Sequence, residues 1–219
     1  MKLPRMFVCT LAELPERKRQ AQEHFGKSGL RVQFVDGYHA QSMGLKTVIP
    51  YMDDVPDGGK PWYIGQGSIG NILSHNLILR MERDFIKDEE FIIFEDDARV
   101  PRNFPDLFAE VRRQVPPDWG AVHLEHCCTE GKPIQIVAPR VAFVQYPLCT
   151  AAILVRRRAV QALLDATREI WAPIDICYAK RAYALGKVKP YCAWPKIVTQ
   201  LTQGGGGMPS TIQREYIGK

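Results

Sequence analysis

The stretch FIIFEDDARV, residues 91–100, places four apolar residues directly before the three carboxylates Glu95, Asp96 and Asp97. A short apolar run rich in aromatic and β-branched side chains is typical of a buried strand. In an open α/β sheet, ligands bind beyond the carboxyl ends of the strands. The stretch therefore predicts a buried strand of an α/β sheet that carries an acidic site at its end.

The segments before this strand alternate in the same way. MFVCTL (6–11) is a short apolar run, LPERKRQAQEHFGKSGL (14–30) has a proline suited to a first helical turn and a glycine suited to an end, and RVQFVDG (31–37) alternates like a strand. GSIGNILSHNLILRMERDF (67–85) has apolar residues at helical spacing, which predicts an amphipathic helix that starts near Ser68. Strand, helix and strand in this order predict an α/β sheet.

The rest of the chain extends this alternation. Residues 38–66 read as a long surface loop, which is often functional in a compact domain. Further helices are predicted over 103–114, 159–170 and 173–187, and further strands over 119–128, 140–157 and 189–200. The predicted organisation is one α/β domain over residues 1–203 and a flexible glycine-rich tail over residues 204–219.

Composition describes an ordinary globular protein. The chain has 219 residues, 46% of them apolar, and a formal net charge of +5. This mild basicity is compatible with an anionic ligand or with peripheral contact to an anionic membrane surface, although a solvated surface explains the charge equally simply. The N-terminus lacks a signal-peptide pattern and no apolar run is long enough for a membrane span. These features predict a cytoplasmic protein whose six cysteines are free thiols.

Three adjacent carboxylates repel one another unless a cation lies between them. If the chain stays extended, Glu95 and Asp97 point the same way and offer oxygen ligands to Mg²⁺ or Mn²⁺. Such a metal acts as a Lewis acid on a diphosphate leaving group. The simpler alternative is that these acids cap the next segment or pair with Arg99 and Arg102.

Four pieces of the sequence, in order, resemble glycosyltransferase family 25, the lipopolysaccharide-type and collagen-type galactosyltransferases. They are VCTLAELPERKRQ near the start, FVDG (34–37), GSIGNILSHNLIL (67–79) and FIIFEDDA (91–98), and WGAVHLEH, PID (173–175) and PKIVTQ (195–200) also fit. The resemblance implies a GT-A-like fold, a Rossmann-type sandwich with a mostly parallel central sheet. It also implies a nucleotide-sugar donor, usually a UDP-sugar, and inversion at the anomeric carbon.

The resemblance further implies roles for individual residues. Asp97 and Glu95 match the metal ligands, and the remaining donor-binding positions are Thr10, Leu11, Arg17, Asp36, Ser74, His75, Asp96 and Gln200. Simpler readings exist for several of them. Arg17 pairs either with a phosphate or with Glu13, Asp36 could serve only its turn, and His75 could be a surface or capping histidine.

Asp175, in the matching PID piece, is the candidate general base that an inverting transfer requires. A helix N-cap just after Pro173 explains the same residue equally simply, without any catalytic role. The glycine run after Gln200 is either a lid hinge or a frayed tail.

The sequence also departs from the family pattern. Thr10 stands in place of Asn, Glu13 in place of a basic residue, Ser68 in place of Glu and Asn71 in place of Cys. Because the EDD motif is intact, the first hypothesis is a metal-dependent inverting hexosyltransferase that moves galactose or glucose from UDP to a hydroxyl of a glycan, a protein or a modified nucleobase. The departures motivate a second, a nucleotide-binding module without catalysis, and paired carboxylates allow a third, a nucleotidyltransferase.

Overall fold

The computed structural model describes residues 2–39, 49–51, 62–127 and 134–201. In these ranges the strands are β1 Arg5–Thr10, β2 Gln33–Asp36, β3 Ile49–Tyr51, β4 Trp62–Ile64, β5 Glu90–Glu95, β6 Ala98–Arg99, β7 Ala121–His123, β8 Ile134–Ala138, β9 Val141–Val144, β10 Ala152–Arg156, β11 Pro190–Ala193 and β12 Thr199–Gln200. The helices are α1 Pro15–Ser28, α2 Gln66–Met81, α3 Phe104–Gln114, α4 Val160–Ala166 and α5 Ile174–Tyr178. A π-helical turn extends α2 over Glu82–Ile86, and another extends α5 over Ala179–Tyr183.

Over the described residues, the central sheet has eight strands in the order β2-β1-β5-β10-β7-β11-β9-β8. β1 pairs in parallel with β2 and β5, and β7 pairs in parallel with β11. Antiparallel pairing reverses β10 and β9 relative to the other six strands. The prediction of an α/β fold with a mostly parallel central sheet is therefore confirmed.

Helices cover both faces of this sheet. Alternate residues of the central strands pack with α1 and α3 on one face, as Phe94 does against Phe25 and Phe104. The intervening residues pack with α2, α4 and α5 on the other face, where Ile93 belongs to the same cluster as Ile72. Because β5 is covered on both sides, all four residues of FIIF are fully buried, as a near-continuous apolar run predicts.

Local sequence predicts the ends of α1 but not the burial of α2. α1 starts at Pro15 and ends before Gly29, whose φ of 73° is a conformation that glycine adopts without strain. α2 starts at Gln66 and is not the amphipathic helix that its periodicity predicts. Its buried set includes polar residues such as Ser74, His75 and Asn76, because α2 packs against β1, α4 and α5 at the same time.

The prediction of free thiols is wrong for two of the cysteines. Cys127 and Cys149 form a disulfide, with their Cα atoms 5.7 Å apart. Cys9, Cys177 and Cys192 are buried free thiols, as predicted. Sequence spacing missed the pair because the isolated bridge between Cys127 and Leu148 brings two distant segments together only in the fold.

Several predicted features lie partly or wholly outside the described residues. The predicted tail, residues 204–219, is outside them, and so is much of the predicted loop 38–66. Within the described part of that loop, β3 pairs antiparallel with β4. Within the described part of the chain, no helix combines the length and the apolar character needed to cross a bilayer.

Candidate active site

The predicted site residues gather at the carboxyl edge of the parallel strands. Thr10, at the end of β1, pairs in register with Asp36 at the end of β2, and Cys9 pairs with Glu95 at the end of β5. Leu11 follows directly after β1, and its carbonyl accepts the N–H of Leu14 at the start of α1. This is the edge at which open α/β sheets bind ligands.

Asp96 and Arg17 form a two-pronged ion pair at this edge. The Arg17 Nε donates to Asp96 Oδ2 at 2.8 Å, and its Nη2 donates to Asp96 Oδ1. The Arg17 side chain is 17% exposed and the Asp96 side chain 10%, so water screens the pair only weakly. Arg17 therefore fixes one carboxylate of the acidic motif and does not pair with Glu13, one of its two sequence alternatives. The other alternative, pairing with a phosphate, stays a prediction.

Asp97 lies in the turn between β5 and β6. β5 ends at Glu95 and residues 96–97 turn, so strand alternation does not set the directions of Glu95 and Asp97. β12 pairs antiparallel with β6 across this turn, with Gln200 opposite Ala98, and the Leu201 N–H donates to the Asp97 carbonyl at 2.9 Å. Strand pairing therefore places Gln200 next to the acidic motif, and its contact with the donor stays a prediction.

Glu95 points into a cluster of polar groups. Its Oε1 accepts hydrogen bonds from Thr150 Oγ1 at 2.8 Å and Asn71 Nδ2 at 3.2 Å, and it lies 3.6 Å from His75 Nε2. Burial by itself raises the pKa of the Glu95 carboxyl, but His75, Thr150 and Asn71 outweigh it and lower that pKa below its ordinary value. Glu95 is thus held as a carboxylate.

His75 is completely buried, so the alternative of a surface histidine is wrong. Within the described residues neither ring nitrogen has a hydrogen-bond partner, and 3.6 Å to Glu95 is too long for one. The contact is an ion pair whenever His75 is protonated. Its place on α2, one turn after Asn71, aims both side chains at the same carboxylate.

Asp36 and Ser74 have structural contacts at the start of the long loop. Asp36 accepts hydrogen bonds from Thr10 Oγ1 at 2.9 Å and from Lys18 Nζ at 2.7 Å, and the lysine lowers the pKa of the Asp36 carboxyl. Ser74 Oγ donates to the Gly70 carbonyl and accepts the N–H of Tyr38. In this structure both residues hold the turn after β2 against α1 and α2.

Asp175 lies in the first turn of α5. Its Oδ2 accepts the N–H of Cys149 at 3.1 Å and its Oδ1 accepts the N–H of Ile176 at 2.9 Å. Burial raises the pKa of the Asp175 carboxyl, the two N–H donors oppose that increase, and the charge of Glu95 adds to it. A raised pKa suits a general base. The alternative of an N-cap at Asp175 is wrong, because the N-cap of α5 is Pro173 and Asp175 lies within the first turn.

The segment from Cys149 to Ala151 connects the two carboxylates. Cys149 binds Asp175 through its N–H, Thr150 binds Glu95 through its hydroxyl, and the Ala151 carbonyl accepts the N–H of Glu95. Cys149 and Thr150 were not predicted from the sequence, because no motif marks them. Asn71 could have been found from its spacing of four residues before His75.

Over the described residues, no group of three His, Cys, Asp or Glu side chains converges as a metal cluster. Two acids of the motif have different partners: Arg17 holds Asp96, and Thr150 and Asn71 hold Glu95.

Comparison with known proteins adds the following. The model of glycosyltransferase family 25 (LPS biosynthesis protein) matches residues 3–130. A crystal structure of a glycosyltransferase involved in the glycosylation of the major capsid of PBCV-1 is similar, with a TM-score of 0.57, 10% identity and 98% coverage of both chains. No curated protein matches the chain.

Two further crystal structures are similar at lower scores. Apo-form GlyE of Streptococcus pneumoniae TIGR4 has a TM-score of 0.48 and 14% identity over 86% of this chain and 45% of that one. Mouse xyloside xylosyltransferase 1 has a TM-score of 0.43 and 11% identity over 85% of this chain and 84% of that one.

Proposed function

Because the chain belongs to glycosyltransferase family 25 and is a glycosyltransferase with a GT-A-like α/β fold, we propose that it transfers a hexose from a UDP-sugar to an acceptor hydroxyl with inversion. A glycosyltransferase of this kind uses a nucleotide-sugar donor. The observation that carries the proposal is that Asp175 and Glu95 are held by two neighbouring residues at one edge of the sheet. Cys149 binds Asp175, and Thr150 binds Glu95.

The nucleotide side of the proposed site is the edge formed by β1, β2 and α1. Thr10, Leu11 and Asp36 end or follow the strands there, and Arg17 fixes Asp96 beside them. Because Asp96 already neutralises the Arg17 charge, the diphosphate needs another source of positive charge. A divalent cation supplies that charge, which is the reason to include Mn²⁺ or Mg²⁺ in the proposal.

A divalent cation of this kind requires few ligands from the protein. Mg²⁺ and Mn²⁺ sites need one or two protein carboxylates, because phosphate oxygens and water complete the shell. Asp97 is the proposed ligand, and Glu95 is the proposed second one, although two hydrogen bonds already hold its Oε1. When bound, the metal would stabilise the charge that develops on the diphosphate leaving group.

Asp175 is the proposed general base for the acceptor hydroxyl. Its raised pKa makes its carboxylate a stronger base than an exposed aspartate. Both of its oxygens are already oriented by backbone N–H groups, so the carboxylate is held in place before substrate arrives. Assays with a glycan, a protein and DNA that contains a modified nucleobase would identify the class of acceptor. Binding to DNA would weaken steeply as the salt concentration rises.

A cytoplasmic location remains a prediction of the sequence. The Cys127–Cys149 disulfide favours an oxidising compartment, because glutathione and thioredoxin keep most cytosolic thiols reduced. Peripheral contact with an anionic membrane also stays a proposal.

Thermal unfolding with nucleotides tests the donor site. UDP, GDP, CDP and ATP are each added with Mn²⁺ or with EDTA to the wild type, to Asp97→Asn and to the matched surface control Asp165→Asn. We expect UDP with Mn²⁺ to raise the midpoint, as a ligand at a hundredfold excess over its Kd stabilises by ~2.7 kcal/mol. EDTA or Asp97→Asn should remove the shift, and Asp165→Asn should keep it. An equal shift with EDTA would exclude the metal role, and no shift with any nucleotide would exclude the donor site.

Turnover tests the chemistry separately. Release of UDP from UDP-galactose, with water as acceptor, is measured for the wild type and for Asp175→Asn. We expect Asp175→Asn to lower kcat by about 10²–10⁴-fold while the UDP-dependent thermal shift persists. Unchanged turnover in this variant would remove Asp175 as the base, and a UDP shift without turnover in the wild type would support the non-catalytic binding module instead.

A further inference from the structure

The turn at Cys149 has an unusual backbone conformation next to the proposed site. Cys149 has a φ of 70°, in the left-handed region that residues with a Cβ rarely adopt. A residue in this conformation is strained and persists only when surrounding contacts impose it. The contacts that impose it at Cys149 are therefore informative.

Three independent contacts fix this residue. Its sulfur is bonded to Cys127, its N–H is accepted by Asp175 Oδ2, and its carbonyl lies 2.9 Å from His123 Nδ1. Because a carbonyl only accepts, His123 Nδ1 carries the proton. His123 Nε2, 3.0 Å from the Tyr183 hydroxyl, is then the acceptor of the Tyr183 proton. The sulfur, the backbone N–H and the carbonyl of Cys149 thus each have a partner.

The same turn holds both proposed site carboxylates. The Cys149 N–H positions Asp175, and the next residue, Thr150, positions Glu95. By contrast, the contacts of the nucleotide side, Thr10 with Asp36 and Arg17 with Asp96, involve no residue of this turn. A change in the conformation of this turn should therefore displace Asp175 and Glu95, and it should leave the contacts of the nucleotide side in place.

We propose that Cys149 is a positioning residue for sugar transfer, and that its disulfide with Cys127 keeps the turn in the conformation that places Asp175 and Glu95. This inference rests on the proposed function. Reduction of the disulfide breaks the S–S bond and, with two electrons and two protons from a dithiol such as dithiothreitol, gives two thiols and the cyclic disulfide of the reagent. The reduced enzyme loses turnover and keeps nucleotide binding.

The test compares the wild type with Cys149→Ser and Cys149→Gly, each with and without dithiothreitol. Cys149→Ser removes the bridge whatever the state of Cys128, which lies outside the described residues. Cys149→Gly also removes it, but glycine adopts positive φ without a Cβ penalty. The readouts are kcat and KM for UDP release from UDP-galactose with Mn²⁺, and the UDP-dependent thermal shift.

Dithiothreitol is expected to lower the wild-type kcat about tenfold or more, because small displacements of a reacting group are costly, and to change KM by less than about twofold. Cys149→Ser should be equally slow and insensitive to dithiothreitol. Cys149→Gly should be faster than Cys149→Ser, which a purely stabilising crosslink would not produce. All three proteins should keep the UDP shift.

The proposal is overturned if dithiothreitol leaves the wild-type kcat unchanged, or if it slows Cys149→Ser as much as the wild type. It is also overturned if loss of the bridge removes turnover and the UDP shift together, since the disulfide would then only stabilise the fold. Oxidised wild type without any turnover would mean that the proposed function has failed. In that case hydrogen exchange decides: reduction must speed exchange in peptides covering 148–151 and 175–177, and unchanged exchange overturns the positioning role.

Discussion

Gly37 approaches Ser74 so closely that a Cβ at residue 37 would lie 2.0 Å from the Ser74 hydroxyl oxygen and 2.6 Å from its Cβ. The Asp-Gly sequence is therefore needed for contact between the β2 turn and α2, and not for a positive φ. We expect Gly37→Ala to lower the free energy of unfolding by about 1–3 kcal/mol, the usual cost of overpacking, as measured by urea denaturation.

The matched control is Gly26→Ala in α1. An added Cβ at Gly26 meets no heavy atom of the described residues within 4 Å, and alanine is favoured over glycine inside a helix by roughly 0.5–1 kcal/mol. This control should be neutral or stabilising. Ser74→Gly removes the clashing atoms, so it should cost less stability in the Gly37→Ala background than in the wild type. Equal costs in the two backgrounds would contradict the assigned contact.

Loss of the Arg17–Asp96 pair should weaken the fold and the site together. Arg17→Gln leaves a mostly buried carboxylate without its two-pronged partner, so we expect a loss of about 2 kcal/mol, within the range for hydrogen bonds to charged groups. Arg19→Gln removes an arginine of the same helix whose partners are exposed, and it should leave stability near the wild-type value. Equal urea midpoints for the two variants would contradict the structural role of Arg17.

Thr150 is predicted to stabilise the Glu95 carboxylate through its hydroxyl. Thr150→Val keeps the shape of the side chain but removes a 2.8 Å hydrogen bond to a charged group, so we expect a loss of ~1.5–3 kcal/mol in unfolding free energy. Thr199→Val, at an exposed position of β12, should change it by less than about 0.5 kcal/mol. A wild-type midpoint for Thr150→Val would show that Glu95 does not depend on this contact.

The free energy of unfolding should decrease as the pH falls through the range between the unfolded and folded pKa values of His123. Burial lowers the pKa of His123 from 6.5 to about 4. Between these values the unfolded chain binds a proton that the folded chain does not, so stability decreases as the pH falls from 6.5 to 4. The full loss from this residue is on the order of 3 kcal/mol.

Urea denaturation of the wild type and of His123→Gln across this pH range measures that contribution. The variant should show a shallower dependence on pH. Part of the slope should remain, because burial also lowers the pKa values of His24 and His126. Identical slopes for the two proteins would show that His123 does not titrate with unfolding.

The sequence alone determined the strands and helices whose signals are local. The apolar run of FIIF, the start of α1 at Pro15 and its end before Gly29 all follow from residue types and spacing. The order of short pieces around the acidic motif was also enough to indicate the family and the α/β fold. These features depend on near neighbours in the chain, which is the information that a sequence carries directly.

Only the tertiary structure decided the contacts between distant segments. Glu95 meets Thr150 across 55 residues, Arg17 meets Asp96 across 79, and Cys127 bonds to Cys149 instead of staying a free thiol. The enclosure of α2 likewise buried His75, which its helical pattern placed off the apolar face. Burial and pairing of this kind depend on how the sheet and its helices pack, because each polar group removed from water takes whatever partner the fold brings within reach.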